Sequence, residues 1–234
     1  MKTKQILGIT AGLMVWAATA MAQTKETSYT FLVNQLVPDA NKNGLFMTTN
    51  LSIAGATTIN AVTVSLDITG GYNGDLFAFL SGPNGGYAVL LNRVGVSNDA
   101  SSFGYGNHGF DIVLSDSAAN DVHYYQSGSY TTNGSGQLTG MWVPDGRNID
   151  PKDSAPSLFG STSPSALLSS FNGTNPNGVW TIFVADLSTG AQSQLVSWGL
   201  DIITVPESSV LALGIMGLGL LAGMGKIGGR SRMK

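Results

Sequence analysis

Residues 61 to 69 alternate strictly, with Val62, Val64, Leu66 and Ile68 on one face and Thr63, Ser65, Asp67 and Thr69 on the other. A period of two is the mark of a half-buried strand, because successive side chains leave a strand on opposite sides. Turn formers punctuate the stretches on either side. Gly70, Gly71 and Asn73-Gly74 end the first run, Asp75 to Leu80 begins the next, and Asn84-Gly85-Gly86 turns the chain again toward Tyr87 to Leu91. Asn-Gly pairs supply the positive-φ residues that hairpins need. Further strands are expected at Phe110 to Leu114, Val179 to Ala185 and Leu195 to Ile203, with weaker ones at Phe31 to Val33 and Leu45 to Ile53. Residues 115 to 170 are rich in Ser, Gly, Asn and Pro. They read as long loops around short strands near Tyr124 and Met141 to Val143. No interval between turns is long enough for a convincing helix and no internal repeat stands out. Strands with one apolar face close by packing two sheets together, so an all-β sandwich is expected.

Both ends of the chain carry a different pattern. Lys2 and Lys4 precede an apolar stretch from Ile6 to Ala18, and Ala20-Met21-Ala22 supplies a small-x-small cleavage pattern. Residues 1–22 therefore read as a signal peptide cut before Gln23. At the other end Val205-Pro206-Glu207-Ser208-Ser209 leads into an apolar run to Gly225, followed by Lys226, Arg230, Arg232 and Lys234. The run falls short of the roughly 20 residues of a full membrane span. The four cations oppose burial in a protein core and favour the anionic cytoplasmic face. A transmembrane segment over 208–225 with a basic end at 226–234 is expected. This tail resembles the PEP-CTERM sorting signal of exopolysaccharide-producing Gram-negative bacteria, with Ser208 where that family usually carries Pro. The resemblance implies recognition by an integral-membrane exosortase at Val205, Pro206 and Glu207, anchoring in the inner membrane, and release to the cell surface or extracellular matrix on processing.

Between the two signals, residues 23–204 carry 13 Asp and Glu against 5 Lys and Arg, a net charge of −8. Nucleic acid is excluded as a natural partner, since phosphate neutralisation needs clustered cations. The chain has no Cys. Its exported domain must be stable without disulfides and has neither thiolate chemistry nor a Cys-ligated metal. Acidic loops make calcium, an oxygen-seeking cation, the metal to consider.

A series of short motifs runs through this central region. It opens with Val37-Pro38-Asp39-Ala40-Asn41-Lys42-Asn43-Gly44 and Val64-Ser65-Leu66-Asp67-Ile68. Tyr72-Asn73-Gly74-Asp75-Leu76, Ser81-Gly82-Pro83-Asn84-Gly85, Leu90-Leu91-Asn92-Arg93-Val94-Gly95 and Phe110-Asp111 follow. It ends with Phe171-Asn172-Gly173, Asn177-Gly178-Val179-Trp180-Thr181 and Leu195-Val196-Ser197-Trp198-Gly199-Leu200. In that order they resemble the P-domain, or P/Homo B domain, that accompanies the catalytic domain of subtilisin-like proprotein convertases. The resemblance implies a jelly-roll β-sandwich of about eight strands over residues 37–204, after a lead-in at 23–36. It also implies a role beside a protease, although no protease domain precedes the motifs here. Calcium, which some bacterial P-domains hold near these motifs, would fall to Asp67 and Asp75, with Asp99 and Asp111 as further candidates; no cofactor is required.

Catalytic patterns are sparse. Ser or Cys nucleophiles need a His base and an orienting acid, yet the two histidines, His108 and His123, lie in loop regions and no Gly-x-Ser-x-Gly elbow is present. Asp67, Asp75, Asp99, Asp111 and Asp116 could pair as glycosidase carboxylates, but each sits on a polar strand face or at a turn, where Asp has structural uses. Asp39-x-Asn41-x-Asn43-Gly44 imitates half an EF-hand loop but has Asn50 at the twelfth position. Trp180 and Trp198 occupy strands and read as core. Trp142, close in sequence to Tyr124, Tyr125 and Tyr130, is freer to meet a glycan. The expectation is a non-enzymatic surface or matrix module, associated with exopolysaccharide or a surface protein. The alternative is an accessory P-domain acting in trans on a separate exported subtilisin-like protease.

Overall fold

The computed structural model describes residues 24–56 and 58–205. The expected signal peptide, and the sorting tail from Pro206 onward, lie outside the described residues. Val205 is the last residue of the final strand. Among the described residues no helix is long and apolar enough to cross a membrane.

Nine strands in two sheets make up the described residues. They are β1 (Lys25–Leu36), β2 (Leu45–Leu51), β3 (Thr58–Gly70), β4 (Leu76–Ser81), β5 (Tyr87–Asn92), β6 (Gly109–Leu114), β7 (Leu138–Trp142), β8 (Gly178–Asp186) and β9 (Ser193–Val205). One sheet runs β1-β9-β3-β6-β7 and the other β2-β8-β4-β5. The two pack face to face, so the chain is an all-β sandwich. The alternation read from the sequence sets the faces: Val62, Val64, Leu66 and Ile68 of β3 are buried, as are Leu76, Ala78 and Leu80 of β4. Trp180, Ile182 and Val184 of β8 meet Trp198, Leu200 and Ile202 of β9 in the same core cluster. Burial of each such side chain is worth about 1.5–3 kcal/mol relative to exposure. Trp180 is held further by an indole N–H donated to Pro176 O at 2.9 Å and by the Phe171 ring at 4.9 Å.

Three features depart from the sequence reading. The 23–36 stretch, expected as a lead-in with a weak strand at its centre, forms the twelve-residue edge strand β1, paired antiparallel with β9. Its alternation is blurred because Leu32, on the outer face, is 79% exposed. The region of Tyr124 is a 3-10 helix, Val122–Ser127, capped by the Asp121 side chain accepting from His123 N. The strand near Met141 begins earlier, at Leu138, and runs parallel to β6. Among the described residues there is one short α-helix, α1 (Pro156–Ser161), which starts with Pro in its first turn, where a missing N–H costs nothing.

Candidate functional site

The loops at one end of the sandwich gather most of the buried polar side chains. The turn Tyr72-Asn73-Gly74-Asp75 leads into β4 as one 3-10 turn. Asn73 is fully buried. Its amide donates to Gly109 O and to the Tyr125 hydroxyl, both at 3.2 Å, and its carbonyl oxygen accepts from Gly109 N at 2.7 Å. Gly74 is obligatory, because a Cβ there would stand 2.1 Å from Phe103 O. The motif thus places Asp75 just inside the sandwich end, 5% exposed.

Asp186, the last residue of β8, reaches the same place from the neighbouring strand. Leu76 pairs with Asp186, and Leu187 N donates to Asp75 O at 2.9 Å. Asp186 is fully buried; its Oδ2 accepts from the Ser193 hydroxyl at 3.2 Å, while its Oδ1 has no hydrogen-bond partner. Burial pushes the Asp186 carboxyl up to about 6, the Ser193 hydroxyl opposes the rise, and the charges of Asp75 and Asp39 add to it. Asp75 is raised as well, chiefly by burial, against the Ser188 hydroxyl and the Arg93 guanidinium. Arg93, in the left-handed region at φ 49°, donates to Ser102 O at 2.9 Å and to Gly74 O at 3.4 Å. From Asp75 a hollow of about 350 Å³ opens to solvent between Tyr72, Phe103, Tyr105 and Ser188.

The four carboxylates expected to share calcium are divided among three places. Asp67 and Asp111 lie directly opposite each other on β3 and β6, on the outer face of the five-stranded sheet. There the Gln137 amide donates to Asp67 Oδ1 at 2.8 Å, and that of Asn133 to Asp111 Oδ2 at 3.4 Å. Asp75 belongs to the buried pair just described. Asp99 is exposed in a separate turn, Asp99–Ser101, capped by Asn98. Among the described residues no three His, Asp or Glu side chains are close enough to hold a metal by themselves. Gln137 explains much of the first pair: 5% exposed, it also donates to Ile68 O at 3.0 Å and Phe110 O at 3.2 Å, which ties β7 to β3 and β6. Gln137→Ala is expected to cost about 1–2 kcal/mol in chemical denaturation, since it strips partners from buried carbonyls.

Around the corner from the carboxyl pair, aromatic rings line a second hollow of about 350 Å³ with Asn120, Asp121 and Ser129 on its rim. Tyr125 stands at its centre, edge to face with Tyr105 at 4.7 Å, Tyr130 at 5.3 Å and Trp142 at 6.2 Å. Burial pushes the Tyr125 hydroxyl up to about 12, so it stays protonated and donates to Asn107 Oδ1 at 2.9 Å. Trp142, expected to be free to face a ligand, is 6% exposed and part of the core cluster, with its indole N–H on Thr139 O at 3.0 Å. It contributes only its edge to the hollow; Tyr124 is the more open ring. β7 is the edge strand of the five-stranded sheet, and the parity it shares with buried Leu138 sends Trp142 inward.

The histidines serve the scaffold. His108 Nδ1 lies 2.9 Å from Gly71 O. His123 is fully buried, with Nδ1 2.6 Å from Asp145 Oδ2 and Nε2 2.8 Å from Val96 O. A carbonyl can only accept, so Nε2 carries a hydrogen. Asp145 also accepts from Asn92 N at 3.2 Å and from Arg147 Nη1 at 3.3 Å, and Arg147 pairs with Asp121 at 2.9 Å beneath the Tyr124 ring. This network, which sequence reasoning missed, ties the end of β5 to three loop segments that have no periodic pattern of their own.

No family model matches the chain, and no curated protein matches it. Among solved structures it is similar to the serine protease of Aeromonas sobria in complex with its chaperone, at 15% identity and a TM-score of 0.43, over 78% of this chain and 27% of that one. The structure of that serine protease alone gives 15% identity and a TM-score of 0.44, over 80% of this chain and 28% of that one. The chain therefore spans a minor part of the length of either. What the fold and its loop end define is a class: a two-sheet β-sandwich module with a buried carboxyl pair beside an aromatic hollow.

Proposed function

We propose that this chain is a non-enzymatic module of the bacterial surface or extracellular matrix, sorted by an exosortase-type system and associated with exopolysaccharide through the aromatic hollow. The observation that carries the reading is the hollow itself. Tyr124 presents ring surface there, over the buried Tyr125 and Trp142, beside Asn120, Asp121 and serine groups that can donate and accept. Apolar ring surface with polar edges is the chemistry that sugar rings meet. The terminal patterns support export, with Val205, Pro206 and Glu207 as the sorting motif and the 208–225 segment as the transient anchor. A non-catalytic role is supported by His123, whose ring nitrogens are both engaged within the core.

The test is co-sedimentation of the full chain, in mild non-ionic detergent, with the producer's own extracellular polysaccharide. Retention is expected, and Tyr124→Ala should weaken it about 3- to 10-fold, the worth of one aromatic contact. Undiminished retention in Tyr124→Ala would move the contact elsewhere; no retention by the parent chain would sink the polysaccharide reading. A second reading, an accessory acting in trans on a separate exported subtilisin-like protease, draws on the outer face of the four-stranded sheet. There Phe46, 59% exposed, lies tilted against Phe183 at 4.5 Å, and Phe183 stacks on Phe79 at 4.9 Å. Phe46→Ser should then lower the protease's yield or stability when the two are co-expressed, and leave polysaccharide retention untouched.

A further inference from the structure

We infer that the hollow beside the Tyr72–Asp75 turn receives a lysine side chain of a partner protein, its ammonium on Asp75 and its alkyl stem between Tyr72, Phe103 and Tyr105. Asp75 lines the hollow and is 5% exposed, so a ligand meets its carboxylate only at the inner end. Among the described residues Asp75 has no ion-pair partner; the ion pairs there belong to Asp121 and Asp145. Arg93, the neighbouring cation, is committed to Ser102 O at 2.9 Å and Gly74 O at 3.4 Å. A carboxylate held out of water without a paired cation is unfavourable, and a cation that arrives from outside offsets that cost.

The walls select the kind of cation. Tyr72 and Tyr105 are braced from behind: Tyr72 leans on His108 at 5.6 Å, Tyr105 meets Tyr125 edge to face at 4.7 Å, and a Cβ on Gly95 would stand 2.5 Å from the Tyr105 ring. The loop carrying Phe103 and Tyr105 is strapped to the acid's own turn. Gly74 N donates to Tyr105 O at 2.8 Å, and Asn73 N to Asn107 O at 3.0 Å. Phe103 stands 80% exposed on the same wall, where an incoming stem would cover it. Ring faces attract an ammonium, and a lysine stem buries along apolar surface while its head seeks a charge. A metal ion is poorly served, since calcium takes six to eight oxygens and here one carboxylate stands among rings. A pyranose ring is poorly served as well, because a carboxyl so little exposed admits a slim stem. The net charge of −8 over residues 23–204 draws a cationic partner toward the chain. This site is separate from the aromatic hollow around Tyr124, so either reading stands if the other fails.

The experiment is titration of the full chain, in mild non-ionic detergent, with N-acetyl-lysine methylamide, followed through the backbone amide resonances. Saturable shifts are expected at residues 72–75, 103–106 and 188–189, with a Kd of about 1 mM, typical for a ligand of that size. The neutral analogue N-acetyl-norleucine methylamide should give none, and glucosamine should bind much more weakly. Asp75→Asn keeps the shape, removes the charge and should weaken binding at least about tenfold. Phe103→Ala, on a ring that the core does not use, should weaken it about threefold. The double variant Asp67→Asn with Asp111→Asn should bind like the parent, since those carboxylates lie opposite each other on β3 and β6, away from the hollow. No saturable shift in the parent chain, equal binding of the neutral analogue, or undiminished binding by Asp75→Asn overturns the inference. Glucosamine binding as tightly as the lysine probe overturns it too, by moving the site to amino sugars.

Discussion

Replacing Asp145 with alanine is expected to cost the fold about 3–5 kcal/mol, the range for breaking a buried ion pair from one side. Asp145 is fully buried, lies 2.6 Å from His123 Nδ1, and accepts from Asn92 and Arg147. Its removal leaves the His123 ring and the Arg147 guanidinium, itself 3% exposed, without the acceptor they were built around. Arg147 would keep Asp121 and Phe159 O, at 2.9 Å each, but the loops carrying Val96, His123 and Asp145 would lose their common tie. Urea denaturation is the measurement. A loss under about 1 kcal/mol would mean that water enters and replaces the carboxylate, and that the network is less dry than its burial indicates.

The second large effect concerns the buried carboxyl of Asp186. Its carboxyl is ordinarily at 3.8 and stands at about 6 in the fold. The fold therefore favours the neutral acid. The stability from this group is complete below pH 3.8 and is lost as pH rises through about 6. The full difference amounts to about 3 kcal/mol. Asp186→Asn keeps the shape and removes the charge, so the variant should be more stable than the parent at pH 7 and nearly equal to it at pH 4. The melting midpoints of both chains across that range decide the matter. A parent chain that gains stability from pH 4 to pH 7 relative to the variant would reverse the sign and place the cost elsewhere.

The same residue shows what could be read without a structure. Trp180, Ile182, Val184 and Asp186 share one parity on β8, and the first three are core. That parity alone sends Asp186 inward; only the habit of reading a terminal Asp as a turn residue hid it. Asp75 was found because Tyr72-Asn73-Gly74-Asp75 is a compact local motif. Trp142 was misplaced because its strand is short and paired in parallel with β6, and neither property leaves a periodic trace in a Gly- and Ser-rich stretch. His123, Asp145 and Arg147 had no local signal, since their partners are 12 to 53 residues away or two residues along the same loop.

Local chemistry in the sequence determined most of the strands, their inward faces and the turns between them. Period-two alternation and positive-φ glycines act over a few residues and need no partner to be recognised. Pairing decided the rest. The meeting of Asp75 with Asp186, the parting of Asp67 and Asp111 from Asp75, and the burial of Trp142 depend on which strands lie side by side and in what register. That choice is made by the packing of two whole sheets, a balance of long-range contacts that no short segment carries.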